Sequence, residues 1–438
     1  KGIGREGHAA PEQAGPGTPI LAAEGRYYPV CCAAHATALV AEVTEKESQK
    51  GAFVEALGDP LQNQISVTAT SETEGAKSVL VIVAAFSDAT GTPVDIAPTP
   101  DVPMTSSYLS GRLTSDVSSF LQEASYGKTS IGTVTVTGVL TMPQTLASYA
   151  TSNNSAGLKS DAINAATTAG FSPDAFDRIA VVFSNTHNIT NNKFTWSGLG
   201  DLGGNFTWFN GYFDQHVVSH ELGHNFGLRH ANLWKIPDGS TDPVDPLGQS
   251  SEYGDPFDVM GSGPNDNNAF PNPYFTNRLH WLPDAAVQTI STSGTYRVHR
   301  YDHQNADLAS TLALRLGRDT VTDYWIGYRR KYQSGGLSDV SQGAYLLWSF
   351  NTETRSHMID VDTPGTNSSD ASLNVGQTFN DADAGISFTV DAAGGSGVAE
   401  YLDIQVNFQP RILFQKPTYS VDELSPSVTL TVERKNNS

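Results

Sequence analysis

Apolar residues in the first half of the chain follow two rhythms. VLVIVAAF (Val79–Phe86) is an unbroken apolar run of strand length, and RIAVVFS (Arg178–Ser184) is nearly so. Such runs belong to central strands covered on both faces. Between them Leu109, Leu113, Val117, Phe120, Leu121 and Ala124 recur at three- and four-residue steps. That stripe predicts one helix, which Gly127 stops. Ile131, Val134, Val136 and Val139 predict a strand over 131–142, and a second helix is expected over about 157–169, closed by Gly170. A third helix is expected from Gln215 to Phe226, with Asp214 as its N-cap. From about 286 to 410 the rhythm changes to short strand candidates, among them GTYRVHR, DYWIGYRR, AYLLWSF and YLDIQVNF, with turn residues between. Helix signals nearly vanish there, which predicts a β-sandwich-like domain.

The expected fold class is therefore α+β: a domain of strands and helices, then an all-β, sandwich-like domain. Four units are expected. Residues 1–75 open with a Gly-, Pro- and Ala-rich lead-in and continue as a small β-rich region or pro-segment, partly disordered. Residues 76–285 form the first domain and 286–410 the second. Residues 411–438 hold two strand candidates, too few to bury a core of their own.

Composition narrows the partners. The formal net charge is −20, which repels nucleic acid and anionic membrane surfaces. Only 16% of the residues are charged, so much of the surface must be Ser, Thr, Asn, Gln and Gly, a composition common in secreted proteins. No run is long and apolar enough to span a membrane. The chain starts at Lys1 without a signal-peptide pattern, as expected of a processed chain or a fragment. Its two cysteines, Cys31 and Cys32, are adjacent and cannot staple distant parts of a fold. They read as buried thiols, with a strained vicinal disulfide or a thiolate capping a metal from a pro-segment as alternatives.

The densest chemistry lies in HELGHNFGLRH, His220–His230, of the form H-E-x-x-H-x-x-G-x-x-H. On a helix His220 and His224 share one face, where a single zinc ion can take both. Gly227 permits the positive φ that ends the helix and returns the chain, so that His230 can supply a third nitrogen. Glu221 sits beside that face as the candidate general base for the attacking water. Any one of these histidines alone is more often a surface or core residue. Chance would place all five fixed positions in a chain this long with a probability on the order of 10⁻⁵.

Two neighbouring stretches are less specific. The segment TWSGLGDLGGNFTWFNG is either a plain surface loop or a substrate edge, in which Gly198, Leu199 and Gly200 are the candidates. Asp242, Asp245, Asp255 and Asp258 form an acidic patch that is a solvated loop or a calcium site, although their spacing is not that of an EF-hand.

The eleven-residue motif, with Met260 in the downstream turn FDVMGSG, resembles the metzincin zinc endopeptidases. The stretches FLQEASYGKTSIGTVTVTG, FDRIAVVFS, WSGLGDLGG, VVSHELGHNFGLRHAN, YGDPFDVMGSG and NRLHWL, in that order, look more specifically like the gametolysin-like peptidases, with immune inhibitor A-like peptidases as a near alternative. The resemblance implies a metzincin-like domain with a mixed twisted sheet and an active-site helix, His220, His224 and His230 as zinc ligands, Glu221 as base, Met260 as structural support beneath the metal, and an edge strand near 198–207 that pairs with substrate. In some metzincins a Tyr follows two residues after the Met; here that position is Ser262, which leaves the oxyanion stabiliser unassigned. The final segment is similar to the opening strands of a Calx-beta domain.

These observations point to a secreted zinc endopeptidase acting on extracellular or cell-surface proteins or peptides. The alternative is a surface adhesive or carbohydrate-associated binding protein with a vestigial zinc domain. A vestigial site should tend to lose Glu221 or a ligand, and none is lost.

Overall fold

The computed structural model describes residues 70–319, 321–331, 342–351, 353–364 and 368–410, and the backbone of five short strands outside them. Four of those strands form two ribbons, Ile20–Ala23 with Arg26–Pro29 and Arg411–Phe414 with Val432–Lys435. Cys31, Cys32 and most of 1–75 and 411–438 lie outside the described residues.

The first sheet has six strands: β1 (Phe53–Ala56), β2 (Gly75–Ala85), β3 (Thr129–Thr141), β4 (Arg178–Phe183), β5 (Gly198–Asp201) and β6 (Phe206–Asn210). Their spatial order is β1-β5-β6-β4-β2-β3. The strands β6, β4, β2 and β3 run parallel to one another, whereas β5 is antiparallel to β6 and β1 runs parallel to β5. Period-two alternation sends successive residues of β2 to opposite faces. Val79, Val81 and Val83 enter one core, while Leu80, Ile82 and Ala84 enter another.

Helices cover both faces, which is why β2 reads as a continuous apolar run. Against the first face lies α1, formed by Ser106–Arg112 and Ser118–Ala124 joined through a π-helical turn, Leu113–Val117. It buries the whole stripe from Leu109 to Ala124 that its sequence outlines. The opposite face carries α2 (Leu146–Thr151) and α3 (Ser155–Thr168), through Leu146, Tyr149, Leu158, Ala162 and Ala166. The first face also carries α4 (Gln215–Asn225), through Val217, Val218 and Leu222.

A second sheet has seven strands: β7 (Ala231–Lys235), β8 (Gln249–Ser251), β9 (Val287–Thr289), β11 (Ala313–Gly317), β12 (Thr322–Tyr328), β13 (Ala344–Phe350) and β14 (Ser356–Met358), in spatial order β8-β7-β14-β13-β12-β11-β9. A third sheet is formed by β10 (Gly294–His299), β15 (Thr378–Asp381), β16 (Ile386–Gly394) and β17 (Tyr401–Phe408). The seven-stranded sheet is buried on both sides. Trp325, Tyr345, Leu347 and Met358 join the core that contains α1, α4 and Met260. Tyr324, Ile326, Leu346 and Trp348 face the third sheet and pack on Phe379, Phe388 and Leu402. The short helix α5 (Pro273–Arg278) lies among the residues of the first of these cores.

The chain is thus an α+β protein, mostly sheet with few helices. Strands β7 and β8 precede position 286 and β11 to β14 follow it, so the boundary expected between 285 and 286 falls inside one sheet and one core. The sequence pattern located β2, β3, β4, β10, β12, β13 and β17 but not β7, β8 or β14, and carried no sign of which strands pair. Among the described residues no helix is long and apolar enough to cross a membrane.

Two outcomes follow from this sharing. A chain ended after residue 285 loses β14, the partner of β7. It should show no cooperative thermal transition by circular dichroism, whereas the chain ended after residue 410 should. The second outcome concerns His357 on β14, buried with Nε2 2.9 Å from Ser250 Oγ on β8. Burial, and then the Arg355 guanidinium, push its pKa down to about 3. The unfolded chain, with an ordinary histidine value of about 6.5, binds the proton more readily. His357 therefore contributes its full stability above about pH 6.5 and loses it as the pH falls towards about 3. Melting temperatures measured from pH 7.5 to 4 should fall less steeply in His357→Gln than in wild type.

Candidate metal centre

The helix α4 is defined at both ends by side-chain and backbone chemistry that its sequence encodes. Asp214 caps the N-terminus, accepting from His216 N at 3.0 Å and Val217 N at 3.1 Å. At the other end Gly227 takes φ +93°, its N–H donates to His224 O at 2.8 Å, and Leu228 N donates to Gly223 O at 3.0 Å. This pair of bonds is a Schellman turn, which reverses the chain and leads Arg229 and His230 back across the helix into β7.

His220, His224 and His230 are buried, and their ligand nitrogens lie within 4.8 Å of one another. Each ring is held through Nδ1. His220 donates to Val259 O at 2.8 Å, His224 to Leu228 O at 2.8 Å, and His230 to Glu252 Oε1 at 2.6 Å. Carbonyl and carboxylate oxygens only accept, so each Nδ1 carries the hydrogen and each Nε2 keeps its lone pair. His224 Nε2 and His230 Nε2 are buried without a hydrogen-bond partner. Burial is the main cause that holds all three imidazoles neutral: His224 falls to about 4, and His220 and His230 fall well below the ordinary histidine value. Three neutral, tautomer-fixed imidazoles facing one point form a nitrogen donor set of the kind that binds zinc.

Glu221 is fully buried on the same helix. It lies against β5, the strand formed by the Gly-rich segment. A Cβ added to Gly198 would sit 2.4 Å from Glu221 Oε1, and one on Gly200 would sit 2.6 Å from Glu221 O and 2.9 Å from His224 Cβ. Glycine at both positions lets β5 pass directly over the histidine helix. Leu199 between them points the other way, into the opposite core. Beneath the helix Met260 is fully buried, and a Cβ on Gly223 would meet its Sδ at 2.2 Å. Its turn is built on Asp258, whose Oδ1 accepts from Met260 N at 2.7 Å, and it is tied to β7 by Ala231 N donating to Met260 O at 2.8 Å.

A family model described as gametolysin peptidase M11 matches residues 78–296, half of the chain. The chain belongs to that family. No curated protein matches it. Family membership makes the chain a metallopeptidase, hence a hydrolase, and the gametolysin match encloses the helix, all three histidines, Glu221 and Met260.

The calcium expectation finds no support. Among the described residues the three histidines are the one group of three or more metal-capable side chains that gathers in this way. The acidic patch is spent on main-chain N–H groups and a tyrosine hydroxyl. Asp242 and Asp245 accept from Val244 N and Leu247 N, Asp255 from Phe257 N and the Tyr345 hydroxyl, and Asp258 from Met260 N and Asn272 N. Of the two tyrosines near the motif, Tyr274 turns away, its hydroxyl donating to Glu353 O at 3.1 Å. Tyr253 instead lies with its ring centroid 4.0 Å from that of His230. Sequence reasoning missed Glu252 as a neighbour of the centre and had nothing to place Tyr253 there. They sit in a stretch with several carboxylates, and no spacing rule marks which one meets an imidazole.

Gly198→Ala tests the contact between β5 and the helix. The added methyl must displace the Glu221 carboxylate. Overpacking of this kind costs about 1–3 kcal/mol, and a displacement near 1 Å at a reacting group costs about 10²-fold in rate. Chemical denaturation should show the modest loss, and kcat/KM on a peptide substrate should show the larger one.

Proposed function

We propose that the chain is a secreted zinc endopeptidase of metzincin-like architecture, with Glu221 as general base. One observation carries the reading: three neutral imidazoles face one point, with a buried carboxylate on the same helix turn. A zinc ion held there supplies a Lewis acid that polarises the scissile carbonyl and acidifies water. Glu221 takes the proton of the attacking water and hands it to the leaving amine. His220, His224 and His230 hold the ion, and Met260 supports the helix from below without coordinating.

Strand β5 offers the substrate an edge at Gly198, Leu199 and Gly200. An extended peptide adds to such an edge through main-chain hydrogen bonds. β1 pairs in parallel with that strand, Phe53 opposite Gly198 and Glu55 opposite Gly200. The N-terminal region and a substrate strand thus compete for one edge, which supports reading residues 1–75 as a pro-segment. The sandwich-like reading of the two C-terminal sheets rests on their shared core, and secretion rests on the polar, weakly charged composition. The substrates are then extracellular or cell-surface proteins and peptides.

Glu221→Gln tests the mechanism. It keeps the shape of the side chain but cannot accept the proton, which should lower the rate by about 10²- to 10⁴-fold. Zinc content by elemental analysis and the melting curve should stay as in wild type, because Glu221 is not a ligand. His230→Ala should instead lose most of its zinc. A Gln variant as active as wild type would place the base elsewhere. A wild-type chain that loads zinc and cleaves nothing in a peptide library would favour the binding-protein alternative.

A further inference from the structure

The three ligands are not held alike. His220 and His224 ride on α4, whose geometry sets their spacing, and their Nδ1 atoms bond main-chain carbonyls. His230 lies beyond the helix, between the Schellman turn and β7, and its Nδ1 bonds a side chain, Glu252 Oε1, at 2.6 Å. Glu252 follows β8, which pairs with β7. Its side chain is 20% exposed, so it keeps contact with water while one oxygen reaches the buried ring. The next residue, Tyr253, adopts φ +56° and lays its ring against His230 at a centroid distance of 4.0 Å. Its N–H donates to Asn232 Oδ1 on β7 at 3.2 Å. Left-handed backbone at a tyrosine is costly, and such strain persists where the surroundings over-determine it. Here it turns consecutive side chains onto the edge and the face of the same imidazole.

We propose that Glu252 is the positioning residue of the third ligand: its carboxylate fixes the His230 tautomer and strengthens the Nε2 donor, with Tyr253 closing the ring's face. A carboxylate is a stronger acceptor than a carbonyl, so the negative charge raises the donor strength of His230 above what a main-chain partner gives. The inference rests on the zinc reading above.

The test measures zinc affinity on the purified chain by competition with a chromogenic chelator. Glu252→Gln keeps the side-chain volume and removes the charge. Its affinity should be weaker by about 10- to 100-fold, and the visible spectrum of the cobalt-substituted protein should shift with it. In a His230→Ala background the same Glu252→Gln change should alter affinity by less than about twofold, since its target is gone. If Glu252→Gln does not fold, Glu252→Asp, which withdraws the charge by one methylene, carries the same comparison. An unchanged affinity with a normal melting curve overturns the proposal. So does an equal loss in the His230→Ala background, which would make Glu252 a general charge effect. A wild-type chain that fails to bind zinc while folded sinks the zinc reading itself, a result distinct from either.

Discussion

Three imidazoles buried together, with ring centroids 4.8, 4.9 and 5.4 Å apart, set the terms for everything around them. At that separation and burial none can carry charge cheaply, and His224 and His230 each leave an Nε2 without a hydrogen-bond partner inside the protein. An unsatisfied buried polar group costs about 1–3 kcal/mol. The cluster is tolerable only if every Nδ1–H is satisfied and the Nε2 atoms of His224 and His230 meet a ligand. The surrounding structure meets the first condition from three directions: the Met260 turn through Val259, the Schellman turn through Leu228, and the β8 segment through Glu252. A metal ion of the kind a metallopeptidase holds would meet the second.

The parts of this arrangement that depend on neighbours in sequence were legible beforehand. The helix over Gln215–Asn225, its Asp214 cap, the Gly227 reversal and the i, i+4 histidine pair all follow from local rules with a known period. The central strands were legible because unbroken apolar runs admit few other readings. The nature of the Gly-rich segment was not. Gly198 and Gly200 matter through what lies on the other side of them, the Glu221 side chain, and no pattern within the segment names that neighbour. Glu252 was hidden for the same reason. It stands in a run with Asp255 and Asp258, and only the tertiary register of β8 on β7 selects it for His230 while the other two turn inward to build the Met260 loop.

That loop is itself held from a distance. Arg329, just after β12, is fully buried and donates through Nη2 to Phe257 O at 3.0 Å, Asn268 O at 3.2 Å and Phe270 O at 3.0 Å. Tyr345 on β13 donates its hydroxyl to Asp255. A guanidinium offers several donors in a fixed plane, so one side chain can bind several carbonyls of an irregular loop at once. The turn that carries Met260 beneath the helix is therefore fastened by residues that lie far along the chain, in what its sequence presents as a separate β region.

The position of the third histidine, His230, carries the same logic further. A helix supplies two ligands from its own period, but a third nitrogen must come from chain that has left the helix, where nothing periodic sets its place. Here that chain becomes β7, pinned on one side by β8 and on the other by β14, with Ala231 in register with Ser356. Arg229, one residue before His230, donates its N–H to Thr354 O at 3.2 Å. The gametolysin match ends at residue 296, inside β10, yet the strand that fixes the approach of His230 begins at Ser356. The physical unit that makes the metal centre is larger than the segment by which the family is recognised. What the sequence presents as a trailing β domain supplies the strand that holds β7, and with it the chain next to His230, in place.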